Sequence, residues 1–199
     1  MRAKLFVACG VLAIIVFGLS MPSPAQKRES EKFSALAYMP HGAGPAMVGA
    51  GARVNVDVWV DNYTSDEEAK VLAGALMEGG SESLLKVLEK GKTIGKIRLT
   101  GRVGFYNFKL IRSHKTESGR RIYAVGDRPI GFLEAYGGTR SKDYPFGIMQ
   151  LDLKANDKGK EEGAGALLYA AKIKVLGGNS IDVESYGIGP IQLMAVRKF

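Results

Sequence analysis

The sequence predicts an α+β fold: mostly antiparallel β-structure, a barrel or sandwich of about nine strands, with a helical hairpin inserted after the second strand. Three observations predict it. Residues 53–62, RVNVDVWVDN, alternate strictly, with Val54, Val56, Val58 and Val60 on one face and Asn55, Asp57, Trp59 and Asp61 on the other. The apolar period then lengthens to that of a helix over residues 64–91. From Thr93 onward, short apolar runs follow one another, each bounded by glycine, proline or polar clusters. Runs of strands with a segregated helical insert suit an α+β architecture.

The elements can be taken in order. Residues 33–39, FSALAYM, read as the first strand and residues 53–62 as the second. Ser65 and Glu68 have capping-box spacing, Asp66, Glu67 and Glu68 place anions in a first helical turn, and Gly79 with Gly80 ends the run. Ala69, Leu72 and Leu76, flanked by Val71 and Ala75, form its apolar face. A second short helix is expected from a Ser81 cap, with Leu84, Leu85 and Leu88 inward and Gly91 as the stop. The two would make a helical hairpin.

Seven further strands are expected at TIGKIRLTG, FYNFKLIRS, RRIYAVGD, FGIMQLDLK, ALLYAAKIKVL, SIDVESYG and PIQLMAVRK. In the fifth of these Leu167, Tyr169, Ala171, Ile173 and Val175 share one face, opposite Lys172 and Lys174. TESG (residues 116–119), NDKG (156–159) and the Gly177–Gly178 pair are turn sequences of the kind that join antiparallel neighbours. Barrel and sandwich both fit this pattern. The need to protect strand edges favours closure.

The N-terminus reads as an export signal, residues 1–25. Arg2 and Lys4 precede an apolar run over residues 5–20, and small residues at 23–25 suit cleavage after Ala25. A retained anchor helix is the rival reading, although the run is shorter than the roughly 20 residues that span a bilayer. Residues 26–32 are polar and aperiodic and read as a disordered mature N-terminus. Residues 33–199 then form a single β-rich domain, long enough to bury a core without staples. The protein is expected to be periplasmic or secreted, and not transmembrane after cleavage.

The only cysteine, Cys9, leaves with the signal, so the mature chain has no disulfide, thiol nucleophile or thiolate metal site. Loss of Arg2 and Lys4 lowers the formal charge from +8 to +6. A basic surface suits an envelope rich in anionic polymers and lipids, and also plain solubility.

The glycine-rich stretch PHGAGPAMVGAG, residues 40–51, does not meet the requirements of a phosphate loop. Gly42, Gly44, Gly49 and Gly51 lack the G-x-G-x-x-G spacing, no Gly-Lys-Ser/Thr follows, and the next element is a strand rather than a helix. It reads as a connection, or as a mobile flap beside the next segment of interest.

That segment is GDRPIGFLEAYGGTRSKDYPFG, residues 126–147, which separates two strands by more than a hairpin loop requires. Arg128, Phe132, Tyr136, Arg140 and Tyr144 are its candidate ligand-binding residues, because aromatic faces beside arginines recognise sugars and anions. Glu134 and Asp143 are weak catalytic candidates, since glycoside hydrolysis needs two carboxyl groups across the scissile bond. The plainer reading is an ordered loop whose aromatics cover a barrel end.

His41 and His114 have no metal-ligand spacing, no nucleophile elbow is present, and NDKGKEEG lacks the acidic pattern of a calcium loop. No metal, cofactor or nucleic-acid partner is expected. Phe199 ends an alternating segment as outer-membrane barrels often do, but Arg197 interrupts the pattern.

At LTGRVGFYNFKLIRS, DRPIGFLEAYGGTRSKDYPFGIMQLDLK, YAAKIKVL and IDVESYGIGPIQLM the chain resembles a group of uncharacterised secreted bacterial proteins. The resemblance covers residues 33 to the end and implies a bacterial envelope address, with no activity or residue role attached. The expected function is a non-catalytic module that binds a ligand or envelope component, anionic ones included, through residues 126–147 and the glycine-rich loop. A periplasmic carbohydrate hydrolase using Glu134 and Asp143, or a structural assembly partner in the envelope, are the alternatives.

Overall fold

The computed structural model describes residues 30–39, 51–131, 143–176, 180–186 and 189–199. They form ten strands and one helix: β1 (Glu31–Met39), β2 (Ala52–Val60), α1 (Asp66–Lys90), β3 (Gly95–Leu99), β4 (Tyr106–Phe108), β5 (Leu110–Thr116), β6 (Gly119–Gly126), β7 (Phe146–Ala155), β8 (Glu161–Leu176), β9 (Ser180–Ser185) and β10 (Ile191–Lys198). β1 starts two residues earlier than expected, so Glu31 and Lys32 belong to the sheet.

All pairings are antiparallel, in the order β4-β3-β2-β1-β10-β8-β7-β6-β5, with β9 added to β8. The run expected as one strand over residues 105–113 is split by Lys109, whose backbone N–H is turned to the Val125 carbonyl, 2.9 Å away. Its first part pairs with β3 and its second with β6. Because β4 and β5 are the two ends of the pairing order and a single residue joins them, the one sheet curls almost closed into a barrel. A two-sheet sandwich is thereby excluded.

The alternation read from β2 is the alternation of the barrel wall. Val56, Val58 and Val60 are buried inside it with Phe33, Ala35 and Ala37 of β1, Ile97 of β3, Phe108 of β4, Ile122 and Ala124 of β6, Met149 and Leu151 of β7, Leu167 of β8 and Leu193 of β10. The interior is thus packed with apolar side chains while the outward positions carry most of the charge. This is the reverse of an outer-membrane barrel, whose polar lumen and apolar exterior face water and lipid. Among the described residues, no helix is long and apolar enough to cross a membrane.

Helix α1 lies outside the barrel. Leu76, Leu84 and Leu88 pack on Leu110, Tyr123, Val125, Phe146, Ile148, Ala171, Ile173 and Ile181, a second apolar core formed by the outward faces of β5 to β9. Its start is the expected capping box: Glu68 N–H donates to Ser65 Oγ at 3.2 Å and Ser65 N–H to Glu68 Oε2 at 2.8 Å. The expected hairpin of two helices is corrected to one kinked helix. Gly79 and Gly80 leave helical geometry, Gly80 at φ 64°, ψ −156°, without an intervening loop. Asp61 and Asn62 both donate backbone N–H groups to the Ile94 carbonyl, so the chain returns close to where it left. A straight 25-residue helix, about 37 Å long, would overshoot that return, and the glycine bend avoids it. Ser81 does not simply cap a second helix. Its hydroxyl accepts from Ile173 N–H at 3.2 Å and donates to Ile173 C=O, just beyond Ala171, the last residue of β8 to pair with β7.

Candidate functional site

Charged side chains gather at the barrel end where β1, β6 and β8 begin and β10 finishes. Arg120 continues the inward phase of Ile122 and Ala124 on β6, and Glu31 that of Phe33 on β1, so both point where apolar residues would normally sit. Arg120 lays its guanidinium against Glu161 with two contacts of 2.5 Å, from Nε to Oε1 and from Nη2 to Oε2. The same Nη2 donates to Glu31 Oε1 at 3.0 Å, and Nη1 donates to Tyr63 Oη at 3.1 Å. Tyr63 Oη donates in turn to Glu31 Oε2 at 2.5 Å, and Lys198 Nζ lies 2.9 Å from Glu31 Oε1 and 3.3 Å from Glu161 Oε2.

The electrostatics follow from this geometry. Burial pushes the Glu31 carboxyl up, but hydrogen bonds from Tyr63, Arg120 and Lys198 outweigh it and hold the group below the usual carboxylate range. Glu161 is likewise held low against its burial by Arg120 and Lys198. The Tyr63 phenol is pushed up by burial and by its bond to Glu31, so it stays protonated and donates. At neutral pH these ionisation states make the cluster an ionic plug at one end of the apolar interior.

Beside the plug is a cleft of about 700 Å³ on the strands β6, β7, β8 and β10. Gly163, Ala164 and Ala195 give it small side chains, Arg120 borders it, and Thr116 and Ser118 of the β5–β6 turn form one lip. Gly163 is required by the close approach of the strands, since a Cβ there would lie 1.8 Å from the Asp152 carbonyl oxygen. Two rows of outward side chains cross the cleft. In the first, Arg197 of β10 is in register with Glu162 of β8, and Glu162 with Lys154 of β7. In the second, Ala164 faces Asp152, and Asp152 faces Arg121.

The second row is internally satisfied: Arg121 Nε donates to Asp152 Oδ1, and Gln150 Nε2 donates to Asp152 Oδ2 at 2.7 Å. In the first row, Glu162 accepts from Asn156 Nδ2 at 3.1 Å. Lys154 and Arg197 carry no ion pair or side-chain hydrogen bond among the described residues, and neither do the hydroxyls of Thr116 and Ser118. The cleft is therefore lined by two cations and two hydroxyls that are uncommitted among the described residues, beside small-residue walls. Such a set can hold an anion, and it contains no paired nucleophile and base.

The residues singled out from the sequence are placed differently. Phe132, Glu134, Tyr136 and Arg140 lie outside the described residues, as do residues 40–50 of the glycine-rich stretch. Arg128 is described: its Nη2 donates to the Phe105 carbonyl at 2.8 Å and its guanidinium stands 5.1 Å from the Tyr106 ring centroid. Tyr144 donates to Glu184 Oε1 at 2.7 Å and its ring lies 5.1 Å from that of Tyr186. Each thus engages a different neighbour, Arg128 the β3–β4 connection and Tyr144 strand β9 with the residue after it. Asp143 is exposed beside Tyr144. His114 Nε2 is buried without a hydrogen-bond partner and burial lowers the imidazole pKa, with Arg112 adding to the effect, so the neutral form is favoured. Among the described residues, no three of His, Cys, Asp and Glu are grouped so as to hold a metal ion.

Sequence reasoning missed both the plug and the cleft. The signal that could have revealed the plug is one of phase: Arg120 and Glu161 stand at inward positions of their strands, which shows only once the inward face of each is assigned.

No protein family, curated protein or solved structure matches this chain.

Proposed function

We propose that this chain is an exported, non-catalytic binding module that seats a small anionic ligand, a carboxylate or phosphate ester, in the cleft between the β5–β6 turn and β10. The observation that carries this reading is the pair Lys154 and Arg197, uncommitted on either side of Glu162, with the Thr116 and Ser118 hydroxyls at the lip. Two cations and two hydroxyls supply charge-assisted hydrogen bonds to one anionic group, each worth about 1.5–3 kcal/mol when made to a charged partner. The packed barrel interior supports the same reading, because it leaves the surface as the place for a ligand. The apolar leader and the basic balance support an envelope address.

Calorimetric titration with inorganic phosphate, glucose 6-phosphate and galacturonate tests the site. At least one should bind the wild type, and Lys154→Ala with Arg197→Ala should weaken it roughly a hundredfold, about tenfold for each lost contact. Absence of binding by the wild type, or an unchanged affinity in the double variant, overturns the assignment.

A second reading places the ligand at residues 126–147, and the Tyr144–Tyr186 pair favours it. The two rings form an aromatic surface with Tyr186 exposed, beside Lys174 and Glu184, which are themselves ion-paired. Loss of binding in Tyr144→Ala with retention in the Lys154/Arg197 double variant would select it. Turnover of a glycoside that disappears in Asp143→Asn would instead select the hydrolase reading.

A further inference from the structure

The β3–β4 connection, residues 100–105, is built unlike any other described turn. Gly101 and Gly104 have φ of 75° and 104°, in the region that favours glycine, and between them Val103 is fully exposed. Phe105 follows, also exposed, and its ring meets Trp59 edge-on at 5.7 Å. The base of this apolar tip is cationic. Lys96 Nζ lies 5.7 Å from the Trp59 centroid and 5.1 Å from that of Phe105, and the Arg98 guanidinium lies 4.9 and 5.4 Å from the same two rings. Arg102 sits exposed within the tip. The nearby acid is Asp57, which is mostly buried and held by Arg98 and the Thr100 hydroxyl.

An exposed aliphatic side chain at a loop apex, an aromatic pair behind it and a collar of cations match an anionic lipid bilayer in both depth and charge. The apolar tip enters the acyl boundary, tryptophan and phenylalanine sit at headgroup level, and Lys96, Arg98 and Arg102 meet lipid phosphates. The loop is held in place for this, since Arg128 anchors the Phe105 carbonyl and Arg102 N–H donates to the Leu99 carbonyl at 3.1 Å. We propose that the tip at Val103 and Phe105, with the cations around Trp59, is a peripheral docking site for an anionic bilayer surface. This site is separate from the cleft and does not depend on a ligand there.

Trp59 is the only tryptophan in the chain and lies in the proposed contact, so its fluorescence reports docking directly. The full chain is titrated with phosphatidylglycerol/phosphatidylcholine vesicles, and with pure phosphatidylcholine vesicles to measure any partitioning by the N-terminal apolar run. The wild type should bind the anionic vesicles with a blue shift of Trp59 emission, at least tenfold more weakly in 300 mM than in 20 mM NaCl. Val103→Asp and Arg102→Glu should each weaken binding about tenfold or more, and Val103→Leu should preserve it. Val103 and Arg102 are both exposed, so equal melting temperatures are expected for the three variants and serve as the folding check. No preference for anionic vesicles, or Val103→Asp binding as well as the wild type, overturns the proposal, even if Arg102→Glu is weakened.

Discussion

Removing the Arg120 guanidinium is the sharpest test of the ionic plug. In Arg120→Met the carboxylates of Glu31 and Glu161 lose three contacts of 2.5 to 3.0 Å made by one side chain, and the Tyr63 hydroxyl loses a fourth at 3.1 Å. Breaking a buried ion pair by deleting one partner costs about 3–5 kcal/mol. Lys198 still reaches both carboxylates and Glu161 keeps some solvent, so the low end applies and about 3 kcal/mol is expected. With a urea slope near 2 kcal/mol/M for a domain of this size, the unfolding midpoint at pH 7 should fall by about 1.5 M.

The pH dependence separates this cause from mere loss of packing. Glu31 and Glu161 have folded pKa values below their unfolded ones, so the wild type holds their contribution above about pH 4.3 and loses it as the pH falls further, through the folded values. In the variant, burial is less opposed and the folded values rise, so protonation costs less in the folded state. The gap between variant and wild type should therefore stay level near pH 7 and narrow as the pH falls through the carboxylate range towards pH 4. Adding Glu31→Gln and Glu161→Gln should recover at least half of the loss at pH 7. A loss below about 1 kcal/mol, or one that is the same at pH 7 and pH 4, would refute the reasoning.

Three further predictions concern the scaffold. Gly163→Ala pushes a methyl group into the Asp152 carbonyl and should destabilise by about 2 kcal/mol or more in the same urea assay. Gly80→Ala meets no atom within 4 Å yet should cost about 1–3 kcal/mol because of its φ and ψ, whereas Gly74→Ala, equally open and within the helix, should stabilise by up to about 1 kcal/mol; equal effects would show that the kink is not required. Leu88→Ala, at 1 % exposure in the outer core, should lose about 2–5 kcal/mol in thermal or urea unfolding, and a loss below 1 kcal/mol would mean that α1 is not packed on the barrel.

What the sequence made legible was local. The alternation of β2, the capping box at Ser65 and the turns at Thr116–Gly119 and Asn156–Gly159 all carry their cause in neighbouring residues, and each appears as expected. Strand β8 shows where this stops. Its alternating residues suggested one continuous face, but the pairing with β7 slips between Phe146 and Ile148. Leu167 therefore lies in the barrel interior while Ala171 and Ile173 lie under the helix. A one-residue bulge exchanges the two faces, and nothing in the run of β8 itself marks it. The division of β4 from β5 at Lys109 is of the same kind, because it depends on β3 and β6 competing for one strand. The cleft brings together positions as distant as 116 and 197, so its uncommitted cations become visible only after folding.

The seam between β1 and β10 has a bearing on how the chain is made. It joins the first strand of the barrel to the last, from Phe33 against Lys198 to Tyr38 against Gln192, and Phe199 N–H reaches the Lys32 carbonyl. No amount of earlier folding can form it, because β10 is the last strand to be synthesised. Until then β1 and β8 both lack that neighbour, and each presents a row of unpaired peptide groups able to recruit another chain. Such a chain gains from being kept from associating with others until β10, the strand that joins β1 to β8, has been made.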